Sequence, residues 1–365
     1  MSHRWNEIKR IIRQYTTAAI VESNGNILLL PRTTLDLLIA RLKYHVGPRH
    51  FSLYQFSKLD RSQWGEYITD QPDIKKFLMD RNPEASRHLV SDKLDFYEHC
   101  LKNDLPTVPV IAVVSRHKDY DHRSVPRIGS IDSWRTVSRS FPTDIFIKPV
   151  DGTFGENAFA AQTKDGEAHF NGRRCSIDEL FLLLEGRLAN GQQGYVIQPR
   201  MYTANSLVGV LSAKGLATIR IVTQLRSGAS KLIVAEAKIT VGDNVTDNFS
   251  NARSGNLLAA IDLESGTLST PWGSSRKDWP VIAQVPRHPD SGKEIGGFAL
   301  PRWGEMVDLV LKAQQKFSEL RTIGWDVADT TAGVVLVEGN STYGMASIQV
   351  AHQCGWRSRF LEELN

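Results

Sequence analysis

The sequence predicts an α+β (α/β) protein in three parts: a mostly helical amino-terminal lobe over residues 1–90, then two mixed lobes of strands and helices over 91–200 and 201–365. Three observations carry this prediction. A chain of 365 residues exceeds what one hydrophobic core usually serves, so two or three packed lobes are expected. In the first part apolar residues recur at helical spacing. From Pro109 onward they gather instead into short β-branched runs separated by turn residues.

Taken in order, Trp5, Ile8, Ile11 and Ile12 mark a first helix, and Leu35, Leu38, Ile39, Leu42 and Val46 form a second amphipathic stripe after Thr33-Thr34. Between them Asn24-Gly25 is a turn signal that suits either a β-hairpin or a helix-turn-helix, and both stay open. Charged helical stretches follow at Asp60 to Ile68, Asp73 to Arg81 and Ser91 to Lys102. VPVIAVV from Val108 reads as a buried strand and Asp144 to Val150 as another, with a short helix at Ile131 to Ser138 between them. Ser176 and Glu179 have the spacing of a capping box ahead of an apolar helix that stops at Gly191 to Gly194. GYVIQPRM is then a strand that breaks at Pro199. ATIRIVTQL, KLIVAEAKITV and NLLAAIDLESGTL, with turns at Ser227-Gly228 and Ser265-Gly266, read as an antiparallel sheet. A long helix from Trp303 to Leu320, a last hairpin WDVADTTAGVVLVEGN and a terminal helix complete the chain.

Composition narrows the function classes. Hydrophobic residues make up 41% and charged residues 23%, which suits an ordinary folded enzyme-sized protein rather than a disordered or fibrous chain. The net charge of +4 comes without basic tracts, so nucleic acid is not an expected partner. Three cysteines, Cys100, Cys175 and Cys354, with no CxxC pair, argue against a disulfide framework or structural zinc and for a reducing cytoplasm. Apolar runs only a few residues long and an amino terminus without a secretion-signal core lead us to expect no membrane partner.

Two constellations carry chemistry. Lys148 ends an apolar strand and is followed by DGTFGENAF, in which Gly152 and Gly155 flank Thr153 and Phe154. Phosphate oxygens need close backbone N–H donors and a fixed ammonium, and this segment offers both. A plain hairpin with a snorkelling lysine is the alternative. In the last hairpin Glu338 and Asn340 are two apart and so share a strand face, where the antiparallel partner can bring Asp326. Two carboxylates and an amide form an all-oxygen set of the kind Mg²⁺ takes, whereas a solvated hairpin with surface acids is the alternative. A weaker signal is the end of VIQPRM, where a broken ladder frees backbone groups for an adenine edge, and taken by itself it reads better as an ordinary strand-to-loop transition. His288 in its HP turn reads as structural, and no zinc or nucleophile motif is present.

In sequence order these features resemble the ATP-grasp superfamily. SDKLDFYEH (Ser91 to His99) looks like the Asp-Lys helix start of the family's central domain, FIKP like its second nucleotide lysine, VIQPRM like its adenine hinge, and WD…EGN like its magnesium triad. NSTYGM, Asn340 to Met345, resembles a segment of D-alanine:D-alanine ligases. ATIRIVT, TDNFSNARSGNLLAAIDLESGTL, HPDSGKEIGGFALPRW and IGWDVADTTAG narrow the likeness to the sugar-transfer-associated branch, from about Lys43 to the carboxy terminus.

The resemblance implies two α+β subdomains clamping ATP. It places Lys148 and Lys93 on the nucleotide, with the loop Gly152, Thr153, Phe154 and Gly155 closing over the phosphates. Gln198, Pro199, Arg200 and Met201 would face adenine, and Asp326, Glu338 and Asn340 would hold Mg²⁺. Arg220 would stabilise the transferring phosphoryl group or the oxyanion, and Lys238 would stand near the γ-phosphate in a position where this branch usually carries arginine. Asn251-Ala252-Arg253-Ser254-Gly255 departs from the family's glycine pair, and Tyr343 stands where the D-alanine ligases have proline. The implied activity is ATP-dependent ligation of a small-molecule carboxylate to an amine through an acylphosphate, with ADP and phosphate released. An ATP-dependent phosphotransferase and a silent nucleotide-binding module are the rival readings. The sequence leaves the substrates and the oligomeric state open.

Overall fold

The computed structural model describes residues 2–69, 72–152 and 157–364. Its amino-terminal part is helical: α1 (Ser2–Glu22), α2 (Leu30–Tyr44), α3 (Pro48–Leu53), α4 (Pro72–Arg81), α5 (Glu84–Ser91) and α6 (Lys93–Lys102). Asn24 and Gly25 both adopt left-handed backbone between α1 and α2, so the turn joins two helices and not two strands. Residues 61–66, read from sequence as part of a regular helix, form a short 3₁₀ turn, which Asp60 caps by accepting from the Ser62 N–H.

Two seven-stranded sheets follow. The first contains β1 (Ala112–Val114), β2 (Arg127–Ile128), β3 (Asp144–Pro149), β4 (Phe159–Lys164), β5 (Glu167–Phe170), β6 (Arg173–Ser176) and β7 (Tyr195–Pro199). Its order is β2-β1-β7-β3-β4-β5-β6, antiparallel except for β1 with β2. Helices α7 (Ile131–Val137) and α8 (Ile177–Ala189) cover one face, where Trp134, Leu180 and Leu184 meet Ile145, Ile147 and Ile197. The Ser176–Glu179 capping box forms at the start of α8 as its spacing predicts. The strand read over VPVIAVV shrinks to Ala112–Val114 because its start pairs elsewhere: the Val108 N–H donates to the Leu336 carbonyl in the other sheet.

The second sheet is wholly antiparallel, in the order β12-β11-β10-β9-β8-β13-β14. Its strands are β8 (Thr218–Arg226), β9 (Ala229–Ile239), β10 (Leu257–Ala260), β11 (Trp272–Ser274), β12 (Ile282–Gln284), β13 (Thr322–Thr330) and β14 (Gly333–Asn340). Helix α9 (Trp303–Lys316) packs Met306, Val310 and Ala313 onto Ile221, Ala237, Trp325 and Val327 of one face. Helix α10 (Met345–His352) lies on the opposite face, where Val350 and Ala351 meet Leu258, and α11 (Arg357–Leu364) closes the chain. The amino-terminal helices join that same cluster through Ala18, Leu37, Phe51 and Trp64, beside Trp279 and Ile282 at the sheet's far edge.

Candidate active site

Alternation along the strands decides which side chains meet. In β3 Ile145 and Ile147 are committed to the helices, so Phe146 and Lys148 point the other way. On the second sheet Ile219, Ile221, Ala235, Ala237 and Trp325 face α9, which leaves Arg220, Glu236, Lys238 and Asp326 on the opposite face. Phe146 and Lys148 from the first sheet, with Arg220, Lys238 and Asp326 from the second, line one cleft of about 600 Å³.

Register sets the charges of the second sheet in a row. Glu236 of β9 lies opposite Arg220 of β8, Arg220 opposite Asp326 of β13, and Asp326 opposite Glu338 of β14. The ladder slips after Asp326, since Val327 pairs with Leu336, so Val337 is an extra residue in β14. Asp326 is buried, and both its oxygens are occupied. Oδ1 accepts from Arg220 Nε at 2.5 Å and from Lys238 Nζ at 2.9 Å, while Oδ2 accepts from Arg220 Nη2 at 2.8 Å and from Lys238 Nζ at 2.9 Å. Burial by itself would raise the Asp326 carboxyl, but the two cations outweigh it and hold the group well below the usual carboxylate range. Two buried positive charges therefore share one carboxylate here, which leaves an excess of positive charge on the cleft face.

Glu236, the next member of the row, is fully buried. One oxygen accepts from Ser347 Oγ at 2.7 Å and the other has no hydrogen-bond partner. Burial pushes this carboxyl up to about 7 despite the nearby Arg220 and Lys238.

The first sheet contributes further cations. Lys148 is buried, and desolvation brings its amine down to about 8, with Glu338 opposing the shift and Lys93 adding to it. Lys93 starts α6 just after Asp92, whose carboxylate caps that helix by accepting from the Leu94 and Asp95 N–H groups. Burial lowers the Lys93 amine as well, against the pull of Glu338 and Asp151. Its Nζ donates to the Gly152 carbonyl at 2.6 Å, which ties the helix start to the base of the glycine loop. Desolvation weakens an amine's hold on its proton, and a polyanion beside it restores that hold, so this pair suits a phosphate chain.

At the other end of the cleft the strand β7 stops at Pro199. Gln198 Nε2 donates to the Val108 carbonyl at 3.3 Å, and Met201, Leu216 and Val337 pack beside Val108 to give an apolar wall. Polar backbone at a strand end next to such a wall suits a flat heterocycle.

The sequence reading's residues Lys93, Lys148, Gly152, Gln198, Pro199, Arg200, Met201, Arg220, Lys238, Asp326, Glu338 and Asn340 all line this single cleft. Thr153, Phe154 and Gly155 lie outside the described residues. Phe146, Thr218, Asp247, Tyr343 and Ser347 also line it and were not singled out as site residues from sequence. The signal for Phe146 was available, since it alternates with two core isoleucines. Asp247, which accepts a hydrogen bond from Thr218 Oγ1, sits in a loop where no periodicity points to a face. His288 is buried between the Thr240 carbonyl and the Asp290 N–H, a structural placement.

The donor set fits Mg²⁺ in kind. Glu338 is half-buried, and among the described residues its one hydrogen bond is from the Asn340 amide, at 3.3 Å, so most of its acceptor capacity is open. Asp326 differs, because it can turn an oxygen to a metal only if Arg220 or Lys238 gives one up. Among the described residues no group of three or more His, Cys, Asp or Glu side chains gathers, so such a site depends on the amide as well.

Comparison with known proteins gives a family model, sugar-transfer associated ATP-grasp, that matches residues 74–365. A search of curated proteins finds no match. Among solved structures, a RimK-domain ATP-grasp protein from Sphaerobacter thermophilus is 12% identical, with 76% of this chain and 69% of that one covered and a TM-score of 0.38. D-alanyl-alanine synthetase A from Vibrio cholerae is also 12% identical, covering 77% of this chain and 66% of its own at a TM-score of 0.42. D-alanine–D-alanine ligase from Bacillus anthracis is 13% identical over 82% and 79%, with a TM-score of 0.38. With the family model running from α4 to the carboxy terminus, across both sheets and every described residue of the cleft, this chain belongs to the sugar-transfer-associated ATP-grasp family and has the ATP-grasp fold.

Proposed function

We propose that this protein is an ATP-dependent carboxylate–amine ligase that forms an amide bond through an acylphosphate and releases ADP and phosphate. The observation that carries the reading is the distribution of charge around one cleft. Lys93 and Lys148 stand at one wall, and the Arg220–Asp326–Lys238 cluster with Glu338 and Asn340 stands at the other. ATP would lie with its adenine against Gln198, Pro199, Arg200 and Met201 and its phosphates toward the two lysines. Phosphoryl transfer needs little covalent help from a protein, and positioning and charge neutralisation supply most of the acceleration. Lys148 and Lys93 would oppose the charge of the phosphate chain. Arg220 and Lys238, with only Asp326 between them, retain the capacity to meet charge on the transferring group or on the oxyanion formed when the amine attacks. Glu338 and Asn340, joined by Asp326, would hold Mg²⁺, which when bound neutralises phosphate oxygens.

The reaction class has a direct test. If a carboxylate oxygen attacks the γ-phosphorus and the amine later expels phosphate, heavy oxygen placed in the acid must appear in inorganic phosphate, one atom per amide formed. With hydroxylamine as a generic amine trap, candidate acids should give a hydroxamate together with ADP. Label retained on a phosphorylated product would assign a phosphotransferase. AMP and pyrophosphate as products would overturn γ-transfer altogether.

A further inference from the structure

The amino-terminal helical hairpin lies outside residues 74–365 and carries a surface that the cleft chemistry does not explain. Among the described residues fifteen large apolar side chains stand exposed, and eleven of them belong to α1, α2 and the turn between. Along α1 one stripe runs Trp5, Ile8, Ile12, Tyr15, Ala19. Its second half packs into the core, while Trp5 and Ile12 are 62% and 60% exposed. Helix α2 buries Thr33, Leu37 and Ala40 on one side and leaves Leu35, Leu38 and Leu42 bare on the other. At the tip Ile27 and Leu28 are 75% and 84% exposed. Scattered surface apolar residues need no explanation, but the bare half of the α1 stripe and the tip, gathered in one hairpin, call for a partner.

Charge identifies the partner. Residues 1–44 contain seven Lys and Arg against three Asp and Glu, a surplus equal to the net +4 of the whole chain, so the rest of the molecule is neutral. The three acids are already engaged: Glu7 with Arg10, Asp36 with Arg61, and Glu22 with Ser57. Lys9, Arg13, Arg32, Arg41 and Lys43 are exposed and have no carboxylate partner among the described residues. Lys9 and Arg13, four apart, border the bare stripe of α1. Two hairpins set face to face would bring two such surpluses together, which disfavours a second copy as the occupant. No described helix is long and apolar enough to cross a membrane, so the hairpin would lie on a surface rather than span it.

We infer that the hairpin docks on an anionic lipid surface, with Trp5, Ile8, Ile12 and the Ile27–Leu29 tip entering the headgroup boundary and the basic residues meeting lipid phosphates. An amphipathic helix with tryptophan and isoleucine on one side and lysine and arginine at its border has the composition that binds bilayer interfaces. The expectation of no membrane partner rested on spanning segments, and a peripheral contact needs none.

The test uses the full chain and co-sedimentation with vesicles of phosphatidylcholine, alone or mixed with phosphatidylserine. Binding to the mixed vesicles should exceed that to the neutral ones by about tenfold or more, and should fall as salt is raised. Lys9→Gln with Arg13→Gln should weaken it by roughly fivefold per charge, and Ile8→Asn with Ile12→Asn should abolish it. All four positions are exposed, so melting temperatures should match the wild type, and the charge pair still tests the inference if the apolar pair misfolds. Equal binding to both vesicles, or none to either, overturns it. A dimer in sedimentation velocity that Ile8→Asn with Ile12→Asn dissociates, without vesicle binding, would assign the surface to a second copy instead.

Discussion

At the residue scale, two carboxylates that face each other across one ladder should respond differently to the loss of charge. Asp326 is buried and compensates two cations, so Asp326→Asn leaves Arg220 and Lys238 unpaired and should cost about 3–5 kcal/mol of stability. Glu338 is half-buried and among the described residues hydrogen-bonds with Asn340 alone, so Glu338→Gln should melt close to wild type while Mg²⁺-dependent turnover falls by roughly 100-fold or more. Melting curves and ADP-release assays on both variants check the pair; a large stability loss in Glu338→Gln with activity intact would rule out the proposed Mg²⁺ ligand role. Glu236 gives a pH signature. Its folded value of about 7 lies above the ordinary 4.5, so between those values the native chain holds a proton that the unfolded chain has released. Its contribution to stability therefore falls as pH rises through that window. Glu236→Gln should flatten the slope and be more stable than wild type at alkaline pH, by on the order of 2 kcal/mol. Unchanged pH dependence of melting would show that the carboxyl titrates normally.

At the scale of elements, the placement of β13 and β14 depends on neighbours that the site residues do not reveal. Asn82, buried between α4 and α5, accepts from the Thr322 N–H at 3.2 Å and donates to the Thr322 and Ser341 carbonyls at 2.8 Å each. It clamps the start of one strand to the end of the other. Asn82→Ala leaves three backbone groups without that partner and should cost roughly 2–4 kcal/mol in chemical denaturation; a change below that range would mean water takes over the bonds. Gly324 is needed for a different reason, since a Cβ there would meet Tyr343 Cβ at 2.8 Å. Elements of this kind were only partly legible in the sequence. The near alternation in ATIRIVTQL identified β8, and the turn at Ala332-Gly333 between two apolar runs identified β13 and β14; all three pack apolar side chains against α9 and lend polar ones to the cleft. β5, β6, β11 and β12, four residues or fewer each, carry too little periodicity to stand out. Asn82 gives no sequence signal, because its partners lie more than two hundred residues away.

At the scale of the whole molecule, the helical amino-terminal part and two mixed lobes were readable because texture changes near Pro109 and every strand of the second sheet is paired locally or with a near neighbour in sequence, apart from β8 with β13. The Asn24-Gly25 turn was not, since its left-handed pair serves a helix junction as well as a hairpin, and only the packing of Ala18 and Leu37 into one core decides between them. What unites the lobes chemically is the cleft, where Lys148 hangs from the first sheet and Glu338 and Asn340 from the second. A ligand that touches both sides binds only the assembled molecule, so it should stabilise the fold by mass action, about 2.7 kcal/mol at a hundred times its dissociation constant. Mg-ATP should therefore raise the melting temperature by several degrees, and adenosine, which lacks the phosphate bridge, by less at the same fold excess over ATP's dissociation constant. Lys148→Ala removes the buried ammonium proposed to oppose the phosphates without touching the Gln198–Met201 end. It should cut ATP affinity by about tenfold or more in calorimetry while leaving adenosine binding unchanged. Equal losses for both ligands would mean that Lys148 is a packing residue and that the phosphates are held elsewhere.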